Sequence, residues 1–306
     1  MKWHKKHLLG IAELNKQEIE LIFDQAKGFK EVLSRPIPKV PALRGTTIAM
    51  LFCEPSTRTR SSFELAAKRI GADTMNMSVS SSSFVKGETL KDTVRNIEAM
   101  RVETIVIRHS CAGSPHMLAK WCDASIVNAG DGFHEHPTQA LLDTFTIKEK
   151  LGRVEGLKVS LVGDIAHSRV ALSNILALNK LGAKVTLCAP KTLIPPQIEK
   201  LGVKVTYDIK DALHKADVVN VLRIQLERQT DAFFPTIREY VQNFGINKTL
   251  LKKYAKKNVV IMHPGPINRE VELANDVADG EHNVILQQVT NGVAIRMAVL
   301  YLLKQE

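Results

Sequence analysis

The chain has 306 residues, 44% of them hydrophobic and 24% charged, with a formal net charge of +10. That length suits two domains with a core each, and that composition is globular rather than disordered or fibrous. No apolar run approaches the ~20 residues of a membrane-spanning helix, and the basic start, Met1-Lys2-Trp3-His4-Lys5-Lys6-His7, has no apolar stretch behind it, so neither a membrane partner nor an export leader is expected and the cytoplasm is the expected location.

Excess positive charge invites a nucleic-acid partner. Here the basic residues are scattered, aromatics make up only 5%, and no nucleic-acid-binding motif appears. Small anionic substrates account for the charge better, and no nucleic acid is expected. The four cysteines, Cys53, Cys111, Cys122 and Cys188, form no CxxC pair, so free thiols are expected rather than disulfides or a zinc knuckle.

In chain order, Asn15-Lys16-Gln17-Glu18 has the form of a capping box. Ile19, Ile22, Phe23, Ala26 and Phe29 keep the helical period until Arg35-Pro36-Ile37-Pro38 ends it. Thr47 to Phe52 reads as a buried strand. Glu54-Pro55-Ser56-Thr57-Arg58-Thr59-Arg60 then leads into a helix with Phe63, Ala66, Ala67 and Ile70 on one face, closed by Gly71. A strand, a Ser/Thr turn and a helix aim backbone N–H groups at an anion, at the positive end of the helix dipole. Arg58 and Arg60 add guanidinium forks. A serine run, Ser78 to Ser83, leads through Phe84-Val85-Lys86-Gly87-Glu88 to a helix expected to bury Leu90, Val94, Ile97 and Met100. The strand Thr104 to Ile107 ends in Arg108-His109, at the carboxyl end where open parallel sheets bind ligands. Another strand, Ser125 to Ala129, runs into a loop ending His134-Glu135-His136-Pro137-Thr138-Gln139. The following helix presents Ala140, Leu141, Thr144 and Phe145 on one face and ends by Gly152.

From Gly156 the pattern restarts, with a strand over Lys158 to Gly163, a helix over Arg169 to Leu181 and a strand over Lys184 to Cys188. Strands near Val203 to Tyr207 and Val218 to Leu222 follow, then a longer polar stretch. The strand Val259 to Met262 ends in His263-Pro264-Gly265-Pro266, and an apolar helix covers Val293 to Leu303. Strands alternating with helices through both halves predict an α/β protein: two doubly wound parallel-sheet domains joined by interdomain helices, with a hinge near residues 130–156.

Other chemistries are weaker. Asp131, His134 and His136 suggest a metal, but a His-x-His loop offers two ligands and nothing in the sequence completes the set. Gly163-Asp164 after a strand suggests a dinucleotide fold, but no second glycine follows through Ala171. His136 alone reads equally as a helix-capping loop residue. Arg169 and Arg223 stand at strand–loop junctions and suit two carboxylates, each able to pair in bidentate fashion, with Gln225 as a neutral donor.

Ser56-Thr57-Arg58-Thr59-Arg60 resembles the phosphate-binding signature of the aspartate/ornithine carbamoyltransferase family, and the resemblance extends over the whole chain, with five motifs in the family's order. His263-Pro264-Gly265-Pro266 with Asn268-Arg269 is similar to the aspartate type. The His-Cys-Leu-Pro and Asp/Ser-Met-Gly elements of ornithine enzymes do not occur, and Arg269-Glu270-Val271-Glu272 stands where the family usually has Arg-Gly-x-Glu.

The resemblance implies transfer of the carbamoyl group of carbamoyl phosphate to L-aspartate, yielding N-carbamoyl-L-aspartate and phosphate in pyrimidine biosynthesis, with no cofactor and no metal. Another amino-acid acceptor stays open. Ser56, Thr57, Arg58, Thr59 and Arg108 would grip the phosphate. Thr59, Arg108 and His136 would point at the carbonyl oxygen, and Gln139 would accept from the carbamoyl NH2. The loop of Pro264, Gly265 and Pro266 would accept hydrogen bonds from the carbamoyl amide and the incoming amine. Arg169, Arg223, Gln225 and Lys86 would hold aspartate, with Lys86 also touching the phosphate and Ser82 binding carbamoyl phosphate. Residues 1–135, joined by a returning C-terminal helix over 291–306, would bind carbamoyl phosphate, and residues 136–290 would bind aspartate. Arg296 on that helix would brace the phosphate site. The family's Ser82/Lys86 loop reaches a neighbouring subunit, implying a homotrimer with shared sites; which of Ser81, Ser82 and Ser83 acts is left open. So is attachment of regulatory chains or a dihydroorotase.

Overall fold

The structure is a computed structural model describing residues 2–78, 88–224 and 236–305. Its elements are α1 (Lys16–Leu33), β1 (Thr47–Phe52), α2 (Thr57–Arg69), β2 (Asp73–Ser78), α3 (Leu90–Ala99), β3 (Thr104–His109), α4 (Ser114–Leu118), β4 (Ser125–Asp131), α5 (Pro137–Leu151) and β5 (Lys158–Val162). There follow α6 (Arg169–Lys180), β6 (Lys184–Cys188), β7 (Lys204–Thr206), α7 (Ile209–Leu213), β8 (Val218–Val221), α8 (Ile237–Phe244), α9 (Lys248–Tyr254), β9 (Val260–Met262), α10 (Asn275–Ala278) and α11 (Ile285–Leu302).

The chain divides into two compact units. One comprises Met1–Leu142 with Thr290–Glu306, the other Asp143–Val289. The first is built on a four-stranded sheet in the order β2-β1-β3-β4 and the second on a five-stranded sheet in the order β7-β6-β5-β8-β9; every pairing is parallel. This is the α/β architecture read from the sequence. The divisions fall inside α5 and α11, because both helices run unbroken through them; the sequence reading placed the corresponding boundaries at 135/136 and 290/291.

The central strands are buried on both faces, which is why they read as continuous apolar runs. Ile48, Ala49 and Met50 of β1 and Ile105, Val106 and Ile107 of β3 are fully buried, as are Leu161 and Val162 of β5. The capping box forms: the Asn15 Oδ1 accepts from the Glu18 N–H and the Glu18 carboxylate from the Asn15 N–H, each at 2.8 Å. Ahead of it, Leu8 bridges Val127 and lengthens the first sheet at its β4 edge.

The structure departs from the sequence reading at several points. Met100 is 55% exposed, because α3 ends at Ala99 and Met100 caps it outside the helical face. α5 is buried all round from Pro137 to Ile147, with Thr138, Gln139, Asp143 and Thr146 covered as well as the expected face. α11 starts at Ile285, eight residues before the expected Val293. β2, α8 and α9 are not among the predicted elements, although in α8 Ile237, Tyr240, Val241 and Phe244 keep the helical period.

Candidate active site

Each sheet reverses its strand order once, and such switch points open a crevice beyond the carboxyl ends of the two strands that diverge there. In the first sheet the switch lies between β1 and β3, in the second between β5 and β8. Ser56, Thr57, Arg58 and Thr59 follow β1, Arg108 is the last residue but one of β3, Arg169 follows β5 and Arg223 follows β8. The sequence-derived anion-binding residues thus sit at the two places the topology reserves for ligands.

In the first unit, Phe52 lies in register with Arg108, and the Cys53 N–H donates to the Arg108 carbonyl at 2.8 Å, so the loop into α2 starts beside Arg108. Ser56 occupies the N-cap of α2 without a side-chain capping bond, and the first turn carries no acidic residue. The first backbone bond into the helix is Arg60 N–H to the Ser56 carbonyl. The turn therefore presents helix-terminal N–H groups and the positive end of the dipole to an anion. Arg58 is exposed, while the Arg108 side chain is largely covered, its Nε 3.2 Å from the Glu54 carboxylate and its Nη1 3.5 Å from the Ala129 carbonyl. Glu54 holds Arg108 in place, a role that the motif alone did not reveal. Burial lowers the pKa of the neighbouring His109 against the opposing pull of Glu54 and Asp131, and its Nδ1 accepts from the Cys111 N–H at 2.9 Å.

His136 is buried and accepts at its carbonyl from the Gln139 and Ala140 N–H groups, so it caps α5 with its backbone, three residues before the buried Gln139. The loop before it is braced. The buried Asp131 carboxylate accepts from the Gly113 N–H at 2.7 Å, Asn128 Nδ2 at 2.9 Å and the Glu135 N–H at 3.1 Å, and lies 3.0 Å from His134 Nδ1. Glu135 turns inward to accept from the N–H groups of Ile11 and Ala12 at 2.8 and 3.2 Å. Asp131 and His134 thus serve as loop supports. Arg296 reaches α2 from α11: Nη1 donates to Ser62 Oγ at 2.8 Å and the guanidinium carbon lies 5.0 Å over the Phe63 ring.

In the second unit, Arg169 opens α6 and is buried, and its N-cap Ser168 accepts from the Ala171 N–H. Asp164 holds the preceding loop through the His167 N–H at 3.0 Å and its ring Nδ1 at 2.9 Å. Gly163 has φ +126, and a Cβ there would collide with the Leu222 carbonyl oxygen, so only glycine lets the β5 and β8 loops run this close. Arg223 is partly covered. Asn268 Nδ2 donates to the Ile224 carbonyl at 3.1 Å, tying the loop after β9 to the one after β8. That β9 loop is shaped by buried His263. Its Nδ1 accepts from the Gly265 N–H at 2.8 Å, which leaves the proton on Nε2, 3.2 Å from Glu272 Oε1. Ser82, Lys86 and Gln225 lie outside the described residues.

Two family models match consecutive stretches of the chain, the second running on through α11, whose C-terminal part belongs to the first unit. The carbamoyl-P binding domain of aspartate/ornithine carbamoyltransferase matches residues 6–149 and the Asp/Orn binding domain matches residues 155–303. The chain belongs to the aspartate/ornithine carbamoyltransferase family. Among its relatives, the aspartate carbamoyltransferase catalytic subunit of Cytophaga hutchinsonii is 65% identical over 97% of each chain, and that of Syntrophobacter fumaroxidans 55% identical over the full length of both. Among solved structures, aspartate transcarbamoylase from Trypanosoma cruzi in complex with carbamoyl phosphate and aspartate superposes with a TM-score of 0.87 at 29% identity, covering 96% of this chain and 95% of that one. Ornithine carbamoyltransferase from Pyrococcus furiosus gives 0.85 at 31%, covering 97% and 96%. The family's fold is therefore common to both acceptor types, and the fold alone does not separate them.

Proposed function

We propose that the chain transfers the carbamoyl group of carbamoyl phosphate to the amino group of L-aspartate, forming N-carbamoyl-L-aspartate and phosphate. The observation that carries the reading is the pairing at the first switch point of an acid-free helix N-terminus with Arg108, held by Glu54. It supplies what a phosphate leaving group demands. Aspartate rather than ornithine is favoured by the His263-Pro264-Gly265-Pro266 loop and by the high identity to catalytic subunits of that specificity.

In this reading the unit containing β1 to β4 binds carbamoyl phosphate. Ser56, Thr57, Arg58, Thr59 and Arg108 hold the phosphate, and Thr59, Arg108 and His136 donate to the carbonyl oxygen as it gains charge. Gln139 orients the carbamoyl NH2. In the unit containing β5 to β9, Arg169 and Arg223, with Gln225, take the two carboxylates of aspartate, and the carbonyls of Pro264 and Gly265, in the loop completed by Pro266, accept from the carbamoyl amide and the nucleophile. The uncharged amine attacks the carbonyl carbon, the C–O bond to phosphate breaks, and the proton lost by the amine ends on the departing phosphate. The enzyme contributes alignment and charge stabilisation, without a covalent intermediate.

Lys86 and Ser82 complete the site of a neighbouring subunit in a homotrimer. Trimers mixed from Lys86→Ala and Arg58→Ala chains should then recover activity that neither parent shows; mixtures as inactive as the parents refute sharing. The product's place is early in pyrimidine synthesis, in the cytoplasm. Incubation with carbamoyl phosphate and a panel of L-aspartate, D-aspartate, L-glutamate and L-ornithine, scored for the ureido product, tests the reaction. Product with ornithine, or none with L-aspartate, overturns it.

A further inference from the structure

Asp143, in the middle of α5, is fully buried and takes no part in the chemistry described so far. Its Oδ2 accepts from Asn174 Nδ2 at 2.8 Å, with Asn220 Nδ2 at 3.4 Å, and its Oδ1 accepts from Gln288 Nε2 at 2.7 Å. Gln288 passes the connection on, because its Oε1 accepts from the His263 N–H at 3.0 Å. Asn174, Asn220, Gln288 and His263 are all buried. One carboxylate is thereby tied to three segments. Asn174 lies on the helix that Arg169 opens, Asn220 lies on the strand that leads to Arg223, and His263 begins the Pro264–Pro266 loop. All of these groups belong to the second unit.

The donor directions are set by the backbone. The His263 N–H can only donate, so Gln288 must face it with Oε1 and offer Nε2 to Asp143. Asn174 Nδ2 also donates to the Val170 carbonyl at 3.0 Å, which can only accept, so its amide orientation is set as well. The site at residue 143 therefore requires acceptors on both sides, which among side chains of this size only a carboxylate supplies. Hydrogen bonding along the strands aligns β5, β8 and β9 but does not set the seat of α6 or the course of the loop after Met262. The Asp143 network adds a direct tie between them, and in a dry interior such a network holds its members firmly only when complete.

We infer that Asp143 is a positioning residue for the amino-acid acceptor, fixing Arg169, Arg223 and the Pro264–Pro266 loop relative to one another through Asn174, Asn220 and Gln288. The inference rests on the reading that these arginines hold the acceptor.

The test uses Asp143→Asn and the double variant Asp143→Asn/Gln288→Glu. In the single variant the new NH2 must face Gln288, so either it meets Gln288 Nε2 or Gln288 turns and leaves the His263 N–H without an acceptor. In the double variant the carboxylate introduced at position 288 accepts from both the new NH2 at position 143 and the His263 N–H. The amide oxygen at position 143 still accepts from Asn174 and Asn220. Asp143→Asn should raise KM for L-aspartate about tenfold, the size of one buried hydrogen bond, leave the Kd for inorganic phosphate unchanged, and speed amide exchange over 263–267. The double variant should restore KM and exchange. An unchanged acceptor KM in the single variant, or a double variant no better than the single one, overturns the inference. So does parallel weakening of phosphate and aspartate binding, which would mark a general loss of stability. If the unaltered protein fails to carbamoylate L-aspartate, the functional reading falls, and the exchange pattern across the three proteins still decides the network.

Discussion

Arg296 offers a test of how the phosphate-side turn is held. Its guanidinium donates to Ser62 Oγ at 2.8 Å and lies 5.0 Å over Phe63, both on α2 one turn beyond Thr57–Thr59. A hydrogen bond from a charged donor contributes about 1.5–3 kcal/mol, and a partly desolvated cation–π contact about 0.5–2 kcal/mol. Arg296→Met keeps the stem packing and removes the burial cost of the charge, which offsets part of the sum. A net loss of about 2 kcal/mol is expected, or a roughly 30-fold rise in local opening of α2. Amide exchange on α2 reads this directly, and calorimetry with inorganic phosphate reads its effect on the anion site. Gly292 refines the test, because a Cβ there would lie 2.7 Å from Arg296 Nη1, so Gly292→Ala should fall between wild type and Arg296→Met. Unaltered α2 exchange in Arg296→Met would refute the bracing argument.

Glu135→Ala removes the acceptor of the Ile11 and Ala12 N–H groups, and one buried donor left unsatisfied costs about 1–3 kcal/mol; thermal melting should show it, and an unchanged midpoint would count against it. Gly163→Ala drives a Cβ into the Leu222 carbonyl at positive φ, so stability should drop by more than the usual ~1 kcal/mol of a point substitution, read by the same melt. Burial pushes the thiols of Cys53 and Cys122 up to about 11 and that of Cys188 to about 12. Because a raised thiol pKa leaves little thiolate below it, a disulfide reagent at pH 8 should modify exposed Cys111 quickly and those three only on unfolding. Rapid reaction at Cys188 in the native protein would contradict its burial.

Sequence pattern carried furthest where backbone and periodicity act together. The apolar runs of β1, β3, β5 and β8 and the Ser/Thr-Arg turn stood out because buried parallel strands and helix-terminal anion sites impose them on a linear stretch. The supporting residues did not stand out. Glu54 and Glu135 carried no signal of their own beside conspicuous motif residues, and Asp131 suggested only a metal with an incomplete ligand set; the role of Glu135 comes from partners far along the chain, such as Ile11. Asp143 lies off the face of Ala140, Leu141, Thr144 and Phe145 that the sequence singles out, yet α5 has no exposed side over that span. A polar residue buried against polar partners leaves no hydrophobic period to detect.

Thr290–Glu306 belongs to the same unit as Met1–Leu142, so the sequence of Asp143–Val289 is an insertion within that unit. On a ribosome the inserted unit has its entire sequence available first, while the unit that encloses it waits for α11, and with α11 for Arg296, before its phosphate-side helix is fully braced. Synthesis order and assembly order are thus opposed: the half of the molecule begun first is the half completed last.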